Sequence, residues 1–460
     1  MSDVSMTAGT GSTPQPDSDL KRSITGRLLF FYVLGDVLGS GIYVLIGSVA
    51  GAVGGAFWIA FAVGVSVATI TGLAYAELVT KYPQAAGAAL FVHKAFGNKF
   101  LTFLITVCML SASFAAAGSL ATGFASYFQQ VWGLPPALLL ALAFVVILAA
   151  VNYIGITESV LANMVMTVVE VAGLVIIMGI GVAYVAQGKA DFATLTAFEA
   201  SGKSPVFAVV AGVALAFFAM TGFENAANVA EETIDPQRAF PRALVGGMIV
   251  AGILYVLVAV SAALTVPIAT LADSDAALLE VIKADLLPIP VGFMTIAFAI
   301  IAMIAITNTT LVALVTESRI LYGMAREDVV PGVFGKIHRT RRSPWVALLF
   351  AAVVIAGLLL SPADLERLVA VTVVFTLFIY GLVIIAALRL RGHDEDEGTF
   401  KPSTVLLVLG VIGNAVLFGY VVYTDPASLV YCAALLALGL ILFAIEYYFG
   451  RRSTSTTRGV

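Results

Sequence analysis

Apolar runs alternate with short polar or basic connectors along this chain. Twelve runs approach the roughly 20 residues that span a bilayer as helix: 28–50, 55–78, 100–128, 136–154, 160–186, 206–228, 243–267, 290–322, 344–361, 366–388, 403–422 and 427–449. They predict an all-α integral membrane protein with twelve transmembrane helices. Runs 100–128 and 290–322 exceed what a bilayer requires, so those helices tilt or project past the lipid. Two runs are interrupted in the middle. Leu34-Gly35-Asp36-Val37-Leu38-Gly39-Ser40-Gly41-Ile42-Tyr43 and Phe217-Phe218-Ala219-Met220-Thr221-Gly222-Phe223-Glu224 each place glycine and an acid at membrane depth. Unwound backbone is tolerated there only where protein buries it or a wet cavity meets it. Each run therefore predicts a broken helix, with Gly39, Gly41 and Gly222 at the breaks.

The breaks also predict an internal repeat. Spans 1–5 cover roughly 28–186 and spans 6–10 roughly 206–388. An odd number of spans per unit makes the second enter from the opposite side. That is a 5+5 inverted repeat, broken in helices 1 and 6, and such paired breaks point to a solute site near the bilayer midplane. The expected organisation is a disordered cytoplasmic segment 1–24 that is not a cleaved signal, a transporter core 25–390, a charged loop 391–402, peripheral helices 11 and 12 over 403–449, and a cytoplasmic tail 450–460. Loop 267–290 carries a helical pattern at 274–283, read either as a lid over the outer mouth or as an amphipathic surface helix.

Composition agrees with a membrane setting. Apolar residues make up 60% of the chain and charged residues 11%, with a mean hydropathy of +1.03. A soluble fold has too little interior for this, since such domains are about 45–50% apolar. A net charge of −4 without a basic aromatic patch excludes a nucleic-acid partner. Twenty of the 24 Lys and Arg fall in connectors or at span ends on the N-terminal side of the membrane; only Lys189, Lys203, Lys283 and Arg367 fall on the other. The positive-inside rule then puts both termini in the cytoplasm. A multi-pass protein of a prokaryotic plasma membrane is expected, as monomer or homodimer.

Catalytic signals are lacking. Cys108 and Cys432 lie within spans and read as small buried thiols. His93, His338 and His393 fall in connectors, and no His, Cys or carboxylate cluster has metal-site spacing. No metal, cofactor or enzyme activity is expected.

At a broken helix the first N–H groups of the second half and the last carbonyls of the first half lack intrahelical partners. That N-terminus also carries partial positive charge. The backbone N–H groups of Ser40, Gly41 and Ile42, with the Ser40 hydroxyl, are thus expected to hold a substrate carboxylate without any arginine. The carbonyls of Val37, Phe218 and Thr221 are the matching acceptors for an ammonium, and Ala219 lies in the same contact surface. A zwitterion bridging both breaks favours an α-amino acid.

Ionisable groups within spans are functional candidates by default. Asp36, one turn before the first break, holds a proton, a cation or a basic substrate side chain, or is a structural acid near the vestibule. Glu224 carries protons or ties the loop backbone. Glu170 lies in the middle of span 5. A carboxyl group taken out of water favours its neutral form. With every histidine outside the spans, a proton relay must run on such acids. Glu77 and Glu317 are expected in helix-end or loop contacts and Glu446 at the interface. Asn308, Thr309 and Thr310 line an ion region or pack between helices.

Several stretches resemble the amino acid-polyamine-organocation family of transporters. They are Gly39-Ser40-Gly41-Ile42-Tyr43-Val44-Leu45, Tyr75-Ala76-Glu77-Leu78 with Tyr82-Pro83-Gln84-Ala85-Ala86-Gly87, Phe217 through Glu224 running on to Asp235-Pro236-Gln237-Arg238, and Ser318-Arg319-Ile320-Leu321-Tyr322-Gly323-Met324-Ala325-Arg326-Glu327. The resemblance covers roughly 25–390. It implies the leucine-transporter fold, the same ammonium-binding carbonyls, and at Phe218 either an aromatic gate or core packing. Asp36 departs from the uncharged residue common in the family. Glu170 reverses the sign of a lysine that some proton-coupled relatives carry. The resemblance thus implies secondary active transport of an amino acid coupled to a proton or another ion. Rival readings are a polyamine or monovalent cation transporter and a non-transporting membrane sensor.

Overall fold

A computed structural model describes residues 23–84, 87–154, 160–198, 204–284, 288–327, 329–339, 343–392 and 399–450. The segment 1–22, most of the charged loop with His393, the tail beyond 450, and Lys203, Arg341 and Arg342 lie outside the described residues. The described chain is helical: α1 (Gly26–Leu38), α2 (Gly41–Val53), α3 (Trp58–Lys81), α4 (Gly87–Phe96), α5 (Lys99–Trp132), α6 (Ala137–Ile154), α7 (Val160–Ala186), α8 (Pro205–Phe218), α9 (Pro236–Thr265), α10 (Ile268–Ala272), α11 (Ala277–Lys283), α12 (Val291–Arg326), α13 (Trp345–Leu360), α14 (Leu365–Arg389), α15 (Thr404–Thr424) and α16 (Ser428–Ile445). Among the described residues there is no β-strand, only one isolated bridge between Ile24 and Thr233.

Ten helical segments are by themselves long and apolar enough to cross a membrane. The pair α1 and α2, bent by 41°, makes an eleventh. At 16 residues, α13 is shorter. Local chemistry sets several of the starts. The Asn98 side chain accepts from the N–H groups of Phe100 and Leu101 at 2.9 and 3.2 Å, and Asp364 accepts from that of Arg367 at 2.9 Å. Such caps satisfy donors that a helix leaves orphaned. Proline opens α8 and α9, where its missing N–H costs nothing. His93 lies in the connector between α3 and α5, within the short helix α4.

The segment 268–283 lies against α2. Gly47 lets the Leu271 carbonyl approach, and Gly51 meets Ala272. Leu278, Leu279, Val281 and Ile282 of α11 are buried. Lys283 of the same helix is exposed and Glu280 half-buried, so the helix is amphipathic with its apolar side packed inward. Cys108 and Cys432 are free and buried.

Glu77 binds the connector after α14. Arg391 donates from Nε to Glu77 Oε1 at 3.0 Å and from Nη2 to Oε2 at 2.8 Å. Arg391 Nη2 also donates to the Pro402 carbonyl at 2.7 Å, and the Lys81 ammonium donates to the Leu390 carbonyl. The Glu77 side chain is only 4% exposed and that of Arg391 22%. Breaking one partner of a buried pair leaves the other uncompensated. Glu77→Ala is expected to cost about 3 kcal/mol, the low end for such pairs because Arg391 keeps some water. Thermal unfolding in detergent measures it.

Candidate functional site

The first break is short. The Gly39 N–H donates to the Gly35 carbonyl at 3.1 Å and closes α1; Ser40 follows, and α2 begins at Gly41. At the second break α8 stops at Phe218. The chain turns through Gly222, whose φ of +114° an L side chain rarely adopts, and continues as a 3-10 helix over Phe223–Val229. The two breaks touch. A Cβ added at Gly41 would lie 2.4 Å from Ala219 Cα, and one at Gly222 would lie 2.5 Å from the Asp36 carbonyl oxygen. Only glycine admits both approaches.

Hydroxyl groups take up the backbone freed by the breaks. The Ser40 N–H donates to Thr309 Oγ1 at 3.2 Å. Thr221 Oγ1 donates to the Phe218 carbonyl at 2.8 Å. The Tyr255 hydroxyl donates to the Val37 carbonyl at 2.6 Å and lies 3.2 Å from that of Ala219. Behind the first break the Tyr43 hydroxyl donates to the Glu170 carbonyl at 2.7 Å, and Asn308 Nδ2 donates to Glu170 Oε1 at 3.2 Å. Buried backbone groups are nearly always paired, which explains why hydroxyls gather here.

A cavity of about 130 Å³ opens beside the breaks. Its polar wall includes Asp36, Thr221, Glu224, Asn225, Asn228 and Thr309, and no Lys, Arg or His is among its lining residues. Asn225 lies within reach of the Asp36 carboxylate, whose Oδ2 has no hydrogen-bond partner among the described residues. Glu224 is tied: its Oε2 accepts from the Gly222 N–H at 2.8 Å and from the Tyr380 hydroxyl at 2.6 Å. Asp36 and Glu224 are near enough for their charges to repel. Tyr380→Phe deletes the hydroxyl donor to Glu224 Oε2. It is expected to cost about 1–2 kcal/mol of stability and to slow uptake, both read on the purified variant.

Of the residues singled out from sequence, the cavity meets Asp36, Thr221, Gly222, Glu224 and Thr309. Val37, Ser40, Gly41, Ile42, Phe218 and Ala219 are buried in the seam between the breaks. In this conformation the Ser40 N–H and the Val37 and Phe218 carbonyls are taken by neighbouring hydroxyls rather than open to a solute. Glu170 is buried behind the wall with Asn308, and its Oε2 has no partner among the described residues. Thr310 bonds within its own helix, to the Ile306 carbonyl. Glu317 is not a helix-end contact: it is fully buried within α12.

Sequence reasoning missed Tyr43, Tyr255, Tyr380, Asn225 and Asn228. The tyrosines carried one usable signal. A phenol in an otherwise apolar span needs a partner for its hydroxyl once buried.

A model of the amino acid permease family matches residues 26–445. The chain belongs to that family. Among relatives of this permease, the branched-chain amino acid permease BcaP of Bacillus subtilis (strain 168) is 27% identical over 423 residues, covering 87% of each chain. The cationic amino acid transporter 9, chloroplastic, of Arabidopsis thaliana is 30% identical over 362 residues, covering 72% of the permease and 61% of the relative. The methylthioribose transporter of Bacillus subtilis (strain 168) is 25% identical over 421 residues, covering 87% and 88%.

Proposed function

We propose that this permease is a secondary active transporter that carries an amino acid across the plasma membrane by alternating access, as a proton-coupled symporter or exchanger. It has twelve spans in the leucine-transporter arrangement: two inverted five-helix repeats, with α15 and α16 peripheral. The observation that carries this reading is the meeting of two helix breaks, 41 against 219 and 222 against 36, beside a cavity bearing two carboxylates. The names of the relatives, a branched-chain amino acid permease and a cationic amino acid transporter among them, favour an amino acid as the solute.

In this reading the substrate ammonium approaches Asp36 and the carbonyls of Val37, Phe218 and Thr221. Its carboxylate goes to the start of α2 and replaces Thr309 on the Ser40 N–H. Basic connectors put the termini in the cytoplasm. The cavity, with Asn225, Asn228, Thr316 and Ile320 on its wall, then faces inward, while α10 and α11 cover α2 on the outer side. On this reading the conformation described is inward-facing. The test is uptake and exchange of each common amino acid by purified protein in proteoliposomes, with and without a pH gradient. Absence of both flux and exchange for every one of them ends the reading.

One observation favours a second reading, transport of a polyamine or a monovalent cation. Asp36 lines the cavity with one oxygen unpartnered among the described residues, and no basic side chain answers it on the wall. Putrescine or potassium uptake that vanishes in Asp36→Asn, with amino acids inert, selects this reading.

A further inference from the structure

Glu317 is a carboxylate that the site above does not use. It stands nine residues before Arg326, the last residue of α12, and is fully buried. Neither carboxylate oxygen makes a hydrogen bond of full geometry among the described residues, and the Ser113 hydroxyl is the donor within reach of them. Ala313, Thr316 and Ile320, one turn or less away on the same helix, line the cavity, as does Ser113 of α5, the polar side chain acting on Glu317.

The elements packed against α12 are α5, α6, α7, α11, α13 and the turn Gly332–Gly335. Their ionisable side chains are Lys99, Cys108 and Tyr127 on α5, Tyr153 on α6, Glu170 and Tyr184 on α7, and Glu280 and Lys283 on α11; α12 itself adds Arg319, Tyr322 and Arg326. Among the described residues, Ser113 is the side chain that bears on Glu317. One carboxylate and one hydroxyl fall far short of the six or more oxygens that a hard cation gathers. Both oxygens are sealed from the cavity itself, which leaves an ammonium no approach. An isolated buried charge is so costly that a protein neutralises it instead.

We propose that Glu317 is a proton site of the transport cycle, filled from and emptied into the cavity through the Ser113 hydroxyl. On loading, an O–H bond forms on a Glu317 carboxylate oxygen with the hydrogen of the Ser113 hydroxyl. Ser113 regains a proton from hydronium in the cavity, leaving water, so the serine ends unchanged. Release runs the same steps backward. The role in a cycle rests on the transport reading; the bound proton does not.

Two measurements on the full-length protein test it. Infrared difference spectra of reconstituted wild type against Glu317→Gln are expected to show the C=O stretch of a protonated carboxyl group missing from the variant, and Ser113→Ala is expected to shift that band. In proteoliposomes Glu317→Gln is expected to retain amino acid exchange and lose proton flux. A spectrum with no such band from mildly acid to mildly alkaline pH overturns the proposal, as does undiminished proton flux in Glu317→Gln. Should Glu317→Gln not fold, Ser113→Ala keeps the acid, and an unmoved band with unchanged proton flux in that variant overturns the relay. If wild type moves no substrate, the transport reading falls, and with it the cycle role, while the band alone decides whether Glu317 holds a proton.

Discussion

Gly41→Val is expected to abolish transport and to destabilise the fold. Any β-carbon at position 41 lies 2.4 Å from Ala219 Cα and 2.7 Å from Ala219 Cβ. The nearest atom is backbone, so no rotamer change relieves the clash. Overpacking a filled interior costs about 1–3 kcal/mol, and a rigid partner puts this site at or above the top of that range. Gly41→Ala already forces the two breaks apart, and valine adds branching that must displace the end of α8. Thermal unfolding in detergent and uptake in proteoliposomes measure the two effects. The matched control is Gly381→Ala in α14, where an added Cβ meets nothing within 4 Å and both readouts should stay near wild type. If Gly41→Val behaved like that control, the breaks would not be in contact.

Asp36→Asn is expected to leave the protein folded and to remove most of its transport. The shape of the side chain is preserved. Asp36 Oδ2 has no partner to lose among the described residues, and the repulsion from Glu224 is relieved, so stability should hold or rise. The acid of the pair that is less tied is then missing from the cavity wall. Hydrogen bonds to charged groups contribute about 1.5–3 kcal/mol. Loss of one therefore predicts about ten- to a hundredfold weaker binding of the transported solute, with a matching fall in uptake at low solute concentration. Equal affinity in wild type and variant, measured by solute-dependent thermal shift, would remove Asp36 from the site.

The large-scale pattern was legible because lipid sets it. Apolar runs marked where helices lie, and Asp36, Gly39 and Gly222 marked the interruptions because nothing but function or burial tolerates them at that depth. Helix ends were less legible. Apolarity reports contact with lipid, whereas helix continues as long as hydrogen bonds propagate. The run 290–322 thus stops four residues short of Arg326, the end of α12, and Glu317 looked closer to a helix end than it is. His93 lies between spans as expected, and α4 shows that such a connector can itself be helical.

Cross-chain pairing was not legible at all. Nothing in an apolar span tells Thr309 to meet Ser40, or Tyr255 to meet Val37 across 218 positions of sequence. Those matches are decided by how helices cross, and helix crossing in lipid is set by many small packing terms rather than by any motif. The same holds for the cavity, whose wall draws residues from α1, α3, α4, α5, α12, α14 and the second break.

The bare contact at Gly41 and Ala219 has a mechanical consequence. Only the Ala219 methyl group stands at the contact, so in the alternating-access reading proposed above the two backbones can roll over one another as a fulcrum does, without any rotamer having to flip. On that reading the barrier to tipping the carrier resides at its extremities, in the Tyr380–Glu224 hydrogen bond on one side and the packing of α10 and α11 on α2 on the other. A guest lodged across the fulcrum can lower that barrier by loosening either end.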